Sequence, residues 1–340
     1  MSLLRTTIKD VCDKAGVSVG TVSNVVNAPH LVADETRRKV LRAIEDLHYR
    51  PSRAARSLQA QRTHLIGYRL PDPVDASSAL DVFLHRLVGS AAGHGLDLVL
   101  FAPRPGQSDL DAYREVIRGA GVDGFVLSET NYDDPRVGML IELAFPFVAF
   151  GRANSPSPFP WVDVDGATGV ASVVAHLVAL GHQSIGLVGW PEGSESGDAR
   201  AAGFIRSMEA AGLGLDRSLI VRTENSMAHG RMAGRVLLDR HDPPSAIVTV
   251  QDELAFGVMT AVAEAGLTVG KEVAVAGFDD TPPASVVWPG LTSVRQPFDA
   301  IGRTLVDLLV ARLEDPARPP QTVLLEPELI TRASTTGSRR

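Results

Sequence analysis

The side chains with chemistry to offer fall at two places in the chain. The first is the run TIKDVCDKAGVSVGTVSNVVN, residues 7–27. It sets Thr21, Ser23 and Asn24 beside Val19 and Gly20 on one face of a short helix. Hydroxyl and amide side chains of this kind hydrogen-bond to phosphate oxygens and base edges, which is recognition chemistry. The second place is a set of polar residues that follow apolar runs: Asp279 and Asp280 after residues 273–276, and Gln251 and Asp252 after 246–250. Arg200, in the run RAAGF, offers a guanidinium elsewhere in the same half of the chain. A carboxylate accepts hydroxyl protons, and a guanidinium fork bonds two neighbouring hydroxyls or a carboxylate. The nine histidines are scattered without paired Cys/His spacing, so no metal site is expected. A Gly-rich phosphate loop and a nucleophile elbow are both missing, so neither a cofactor nor an enzyme is expected.

The elements that must position the first set are two helices and a turn. Thr7-x-x-Asp10 is a capping-box-like start, and Ile8, Val11, Cys12 and Ala15 form one apolar stripe. Gly16 ends the helix in a left-handed conformation. Val17 fills the corner and Ser18 caps the second helix, its hydroxyl meeting an N–H near Thr21. Val22, Val25 and Val26 are expected to face inward. A third helix over 34–47, with Val40, Leu41, Ile44 and Leu47 apolar, closes a three-helix core. Asp34 is expected to take the cap that Ala33 cannot provide. Pro51 then breaks the helix, and SRAARSL is a short basic helical segment.

From His64 onward apolar strands (65–70, 96–101, 124–127, 146–150, 184–188, 219–222, 246–250, 273–276) alternate with helical patterns such as 80–92 and 110–120. This is a βαβ series with parallel sheets, long enough for two doubly wound subdomains. No internal sequence repeat is evident. Ligands in such folds bind beyond the C-terminal strand ends. That topology puts Asp72, Phe83 and Arg152 at the cleft. Trp288 and Trp190 could each stack on a sugar face, with core coverage the competing role, more so for Trp190. His182 reads as structural, with Gly181 as a helix stop.

The stretches TIKDVCDKAGVSVGTVSNVVN, TRRKVLRAIEDLHYRPSRAARSL and HLIGYRL resemble the LacI/GalR family of bacterial transcription regulators. The resemblance implies a small all-α helix-turn-helix headpiece (1–51), a hinge helix and linker (52–62), and an α/β, two-lobed periplasmic-binding-protein-like domain for effector binding and dimerisation (63–333). It puts crossovers between the lobes near Asp163, Leu291 and Val323. A disordered tail is expected over 334–340. By resemblance Val19, Gly20 and Asn24 read bases, and Thr21 and Ser23 contact phosphates. Thr7, Ser18, Asn27 and Arg53 complete the DNA-binding set, and Ala55 and Leu58 lie on a hinge helix whose leucine wedges the minor groove. Gly20 has no side chain to read with, and Asn24 stands where Arg is common, which favours adenine over guanine. The resemblance also makes Arg200, Gln251 and Asp279 effector ligands. With Asp72, Phe83, Arg152 and Trp288 they form the expected effector site.

Residues 1–62 hold 11 Lys and Arg against 6 Asp and Glu, and the rest holds 22 against 34, a +5 head on a −12 body in a chain of net charge −7. A basic head on an acidic body is the footprint of local phosphate binding. No secretory signal or apolar run of about 20 residues is present, and the lone Cys12 cannot form an internal disulfide. The expectation is a cytoplasmic homodimeric repressor of a pseudo-palindromic operator, controlled by a small molecule, most readily a sugar. A purine-type corepressor is the alternative. A sugar-binding protein that merely shares the fold is the rival from another class.

Overall fold

The computed structural model describes residues 6–27, 29–49, 62–72, 77–119 and 121–336. The chain divides into two units between Thr63 and His64. The expected hinge residues Arg53, Ala55 and Leu58 lie outside the described residues.

In the first unit α1 (Ile8–Ala15) and α2 (Val19–Asn27) are joined by a tight turn, and α3 (Asp34–Asp46) packs across them. Asp10 accepts from the Thr7 N–H and hydroxyl at 2.7 and 2.8 Å. Gly16 adopts φ 64°, where a Cβ would be strained, and the Val17 N–H returns to the Cys12 carbonyl. The Thr21 N–H donates to Ser18 Oγ at 3.2 Å, as the cap requires. Val11, Val22 and Val40 are fully buried. Each contributes about 1.5–3 kcal/mol, which matters in a unit with so small a core. Three expectations fail here. Val26 and Leu41 are exposed, because the three-helix core is already filled by Val25, Ala43 and Tyr49. Asp34 is the first residue of α3 rather than its cap, and its carboxylate pairs with Arg37 at 2.8 Å.

The second unit has two lobes. In the N-lobe β1 (Leu65–Arg69), α4 (Ser78–Gly93), β2 (Asp97–Phe101), α5 (Asp109–Gly119), β3 (Gly124–Leu127), α6 (Pro135–Glu142), β4 (Phe147–Phe150) and β5 (Trp161–Val164) alternate as a doubly wound unit. The chain then crosses into the C-lobe. There α7 (Gly166–Ala179), β6 (Ile185–Gly189), α8 (Glu195–Ala210), β7 (Ile220–Arg222), α9 (Met227–Leu238), β8 (Ala246–Thr249), α10 (Asp252–Glu264), β9 (Ala274–Asp279), α11 (Pro282–Val286) and β10 (Thr292–Arg295) follow. α12 (Phe298–Glu314) returns to pack on α4 and leads to β11 (Thr322–Leu325) in the N-lobe sheet. β12 (Glu328–Ile330) and α13 (Ala333–Thr336) end in the C-lobe.

The N-lobe sheet runs β2-β1-β3-β4-β5-β11, all parallel. The C-lobe sheet runs β7-β6-β8-β9-β10-β12, with only β12 antiparallel. Leaving aside the final strand of each, the two orders are the same, although no sequence repeat betrays it. Each therefore has a switch point, between β1 and β3 and between β6 and β8, where strand ends open a crevice. The second crossover lies at 295–298 rather than near Leu291, because 292–295 is itself a C-lobe strand. The expected disordered tail begins as structure: Ser334 and Thr335 are buried, and Ser334 Oγ donates to the Val275 carbonyl at 2.6 Å. His182 Nδ1 lies 2.9 Å from Ser245 Oγ, and Gly181 has φ 93°, as a structural helix end requires.

Candidate effector cleft and DNA-reading face

A cavity of about 730 Å³ opens between the strand ends of the two lobes. On its C-lobe side Asp279 ends β9 at φ 115°, a left-handed conformation that costs a non-glycine residue about 1–3 kcal/mol. The residue is 2% exposed. Gln296 Nε2 donates to its Oδ1, while its Oδ2 is buried without a hydrogen-bond partner. Burial pushes the Asp279 carboxyl well above the usual range, against the pull of Arg200.

Arg200 rises from α8, whose start is fixed by Ser194 Oγ accepting the Gly197 N–H. Its Nη1 donates to the Val250 carbonyl at 2.7 Å. Its guanidinium lies 3.8 Å from the Phe278 ring centre and 4.9 Å from that of Trp190. Gly166 makes room for it, since a Cβ there would stand 2.7 Å from Arg200 Cγ. Asn225 Oδ1, Gln296 Oε1, Trp190 Nε1 and Arg200 Nε are also buried without partners, and all four residues line the cavity. Of these five unpartnered atoms, Asp279 Oδ2 included, three are acceptors and two are donors.

The N-lobe side is built differently. Tyr68 Oη and Ser128 Oγ share a hydrogen bond of 2.7 Å, and burial raises the phenol. Arg136 Nη2 meets Asp134 Oδ2 at 2.6 Å and donates to the Ser128 and Glu129 carbonyls. Phe83 stacks on Phe150 with ring centres 5.2 Å apart.

Side chains also bridge the lobes. Arg152, at the end of β4, meets Asp163 at 2.7 Å and Glu195 of α8 at 2.8 Å. Ser196 Oγ donates to Asp163 at 3.2 Å. The Ser78 N–H at the start of α4 donates to Glu253 of α10 at 2.7 Å.

The structure thus brings Phe83, Arg200, Gln251 and Asp279 to one cavity. It does not bring Arg152, Asp72 or Trp288. Arg152 is spent on Asp163 of its own lobe and Glu195 of the other. Asp72 follows β1 but is absent from the described cavity wall. Trp288 is 83% exposed on the loop after α11, so the tryptophan at the cavity is Trp190. Asp252 neither caps α10 nor lines the cavity. It accepts from the Thr281 N–H and hydroxyl at 2.8 Å and from Ser293 Oγ at 2.6 Å. Burial pushes it up to about 7. Gln296 and Asn225 went unnoticed in the sequence. The signal for Gln296 was its place directly after a strand, but residues 292–295 are too polar to read as one.

On the headpiece Val19, Gly20 and Asn24 are exposed on α2, and Thr21 and Ser23 are half-buried. Ser18 Oγ and Thr21 Oγ1 lie 3.0 Å apart, so these two hydroxyls hold one another. The Thr7 hydroxyl is similarly engaged by Asp10. The Asn27 side chain lies outside the described residues.

Residues 7–52 match the model of bacterial regulatory proteins of the lacI family, and residues 174–335 match a periplasmic binding protein-like domain. The HTH-type transcriptional repressor PurR of Shigella dysenteriae serotype 1 (strain Sd197) is 32% identical over 330 residues, covering 96% of each chain. The chain belongs to the LacI family of bacterial regulatory proteins. Among solved LacI-family structures, the Lac repressor dimer bound to operator and the anti-inducer ONPF superposes with a TM-score of 0.83 at 28% identity, covering 97% of this chain and 99% of that one. The transcriptional regulator CelR in complex with cellobiose gives 0.73 at 30% identity, covering 97% and 100%. The protein is therefore a DNA-binding repressor with a helix-turn-helix headpiece and an effector-binding domain. Its relatives are transcriptional regulators. No helix among the described residues is long and apolar enough to cross a membrane.

Proposed function

We propose that the protein is a cytoplasmic, homodimeric repressor whose operator affinity is lowered by a sugar bound between the lobes. The unpartnered, buried Oδ2 of Asp279 carries the reading. A buried acceptor of this kind costs free energy unless a donor meets it. With Asn225 Oδ1 and Gln296 Oε1 as further unpartnered acceptors and Trp190 Nε1 and Arg200 Nε as unpartnered donors in the same cavity, the wall suits a ligand rich in hydroxyls, which both donate and accept. Arg200 already donates through Nη1 to the Val250 carbonyl and keeps its buried Nε–H free, which suits a ligand hydroxyl. The solved CelR complex with cellobiose supports the sugar class. The headpiece would read DNA through Val19 and Asn24, held in register by phosphate contacts from Thr21 and Ser23.

A purine-type corepressor is the second reading. The stacked rings of Phe83 and Phe150 at the cavity wall would accept a planar base. The two readings have opposite signs. Fluorescence anisotropy with labelled DNA from upstream of the protein's own gene, titrated with neutral sugars and then with purine bases, separates them. Release by a sugar is expected. Binding that requires a purine base would replace the sugar reading.

A further inference from the structure

We propose that the effector is an uncharged saccharide of at least two rings, with one ring held by each lobe. The inference rests on the sugar reading above and adds size and charge to it.

Size comes from the cavity and the placement of its groups. About 730 Å³ lies in the upper part of the ~300–1,000 Å³ range of sites that enclose drug-sized molecules. The unpartnered polar atoms of Asp279, Gln296 and Asn225 all belong to the C-lobe side. A single ring engaged by them leaves the opposite wall unfilled. That wall holds Phe83, Phe150 and Phe298. Phe83 and Phe298 are buried, whereas Phe150 is half-buried at the end of β4, stacked on Phe83. An aromatic ring in this position suits the C–H face of a second pyranose. Tyr68 and Ser128 already satisfy one another and Arg69 Nε is the one buried unpartnered polar atom on this wall among the described residues, so the N-lobe offers packing more than open hydrogen-bonding groups.

Charge comes from the rest of the lining. Among the described residues seven carboxylates and three guanidinium groups line the cavity. Arg69 is engaged by Asp109 and Glu129 at 3.2 and 3.6 Å, and Arg136 by Asp134. Arg200 sits beside Asp279. Arg69 and Arg136 thus have carboxylate partners, Arg200 is held by the Val250 carbonyl at 2.7 Å, and Glu224 stands exposed at the rim. Asp163 and Glu192 are themselves met by Arg152 and Arg222 from just outside the wall, so among the described residues the cleft has no guanidinium without a protein partner to offer a phosphorylated or acidic sugar.

Isothermal titration calorimetry on the full-length protein tests this. The probes are cellobiose, maltose, trehalose, lactose and melibiose, the monosaccharides glucose and galactose, glucose 6-phosphate, and adenine. One disaccharide should bind about tenfold or more tighter than its component monosaccharides, and glucose 6-phosphate should not bind. Phe150→Leu should weaken that disaccharide about three- to tenfold while leaving the weak monosaccharide binding unchanged. An unaltered apo operator affinity and melting curve will show that this variant is folded. A monosaccharide that binds as tightly as any disaccharide, or tight binding of glucose 6-phosphate, overturns the inference and leaves the sugar reading standing. Binding of adenine alone, or of no saccharide at all, overturns both.

Discussion

The two lobes share a strand order and differ in what their buried polar groups are doing. In the N-lobe the polar groups at the cavity are mostly closed on themselves: Arg136 with Asp134, Arg69 with Asp109, Tyr68 with Ser128, with Arg69 Nε the one buried lining atom of that lobe left without a partner among the described residues. In the C-lobe Asp279, Gln296, Asn225 and Trp190 each keep a buried polar atom without a partner. A satisfied buried group holds the fold, and an unsatisfied one costs stability until a ligand supplies its bond. The contrast assigns recognition chiefly to the C-lobe and shape to the N-lobe.

The largest effect that can break this contrast is in the N-lobe. Arg136→Met leaves Asp134 as an uncompensated buried charge and should destabilise the effector-binding unit by about 3–5 kcal/mol. That corresponds to a fall of roughly 10 °C or more in its melting temperature by calorimetry. An unchanged melting temperature would show the pair is not structural. Next, Gln296→Ala on the C-lobe side should leave the melting temperature within a few degrees and weaken effector binding about tenfold, since Gln296 is what orients Asp279. A loss of stability without a loss of affinity would reverse the assignment.

A pH series sharpens the comparison. Burial raises Asp252 to about 7. The folded state therefore binds this proton more tightly than the unfolded chain does. The group favours folding most at low pH, and that contribution is lost as pH rises from about 4 to about 7. Thermal melts of Asp252→Asn should lack this part of the pH dependence; identical profiles for the two proteins would contradict it. The smallest effect lies in the other unit. Asn24→Ala should weaken operator binding by about 1–2 kcal/mol, the cost of losing the proposed amide contact to a base. Effector affinity measured by calorimetry should stay the same.

What the sequence disclosed follows a physical line. The headpiece was readable because its devices are local: Thr7 with Asp10, Gly16 in a left-handed turn, Ser18 with Thr21. The inner strands of both sheets were readable because they are continuous apolar runs. The strand Thr292–Arg295 was not. Thr292 and Ser293 are fully buried there only because Ser334, Thr335 and Asp252 satisfy them, and those partners are remote in the chain. Missing that strand displaced the second crossover and hid Gln296. The same bonds account for the ordered start of the tail. Arg152 was misplaced for a related reason. Its position after β4 was correct, but the Glu195 that captures it comes from the other lobe. For Trp288 and Trp190, following a strand or loop does not determine which way an indole points.

If the proposed effector contact at Asp279 is correct, this carboxylate also decides whether the effector changes operator affinity. The most direct test measures operator affinity by anisotropy for the wild type and Asp279→Asn, each with and without saturating effector. The wild type should lose about tenfold or more in operator affinity on adding effector, while the variant should match it without effector and show no response. A variant that still responds in full would place the coupling elsewhere and contradict the account.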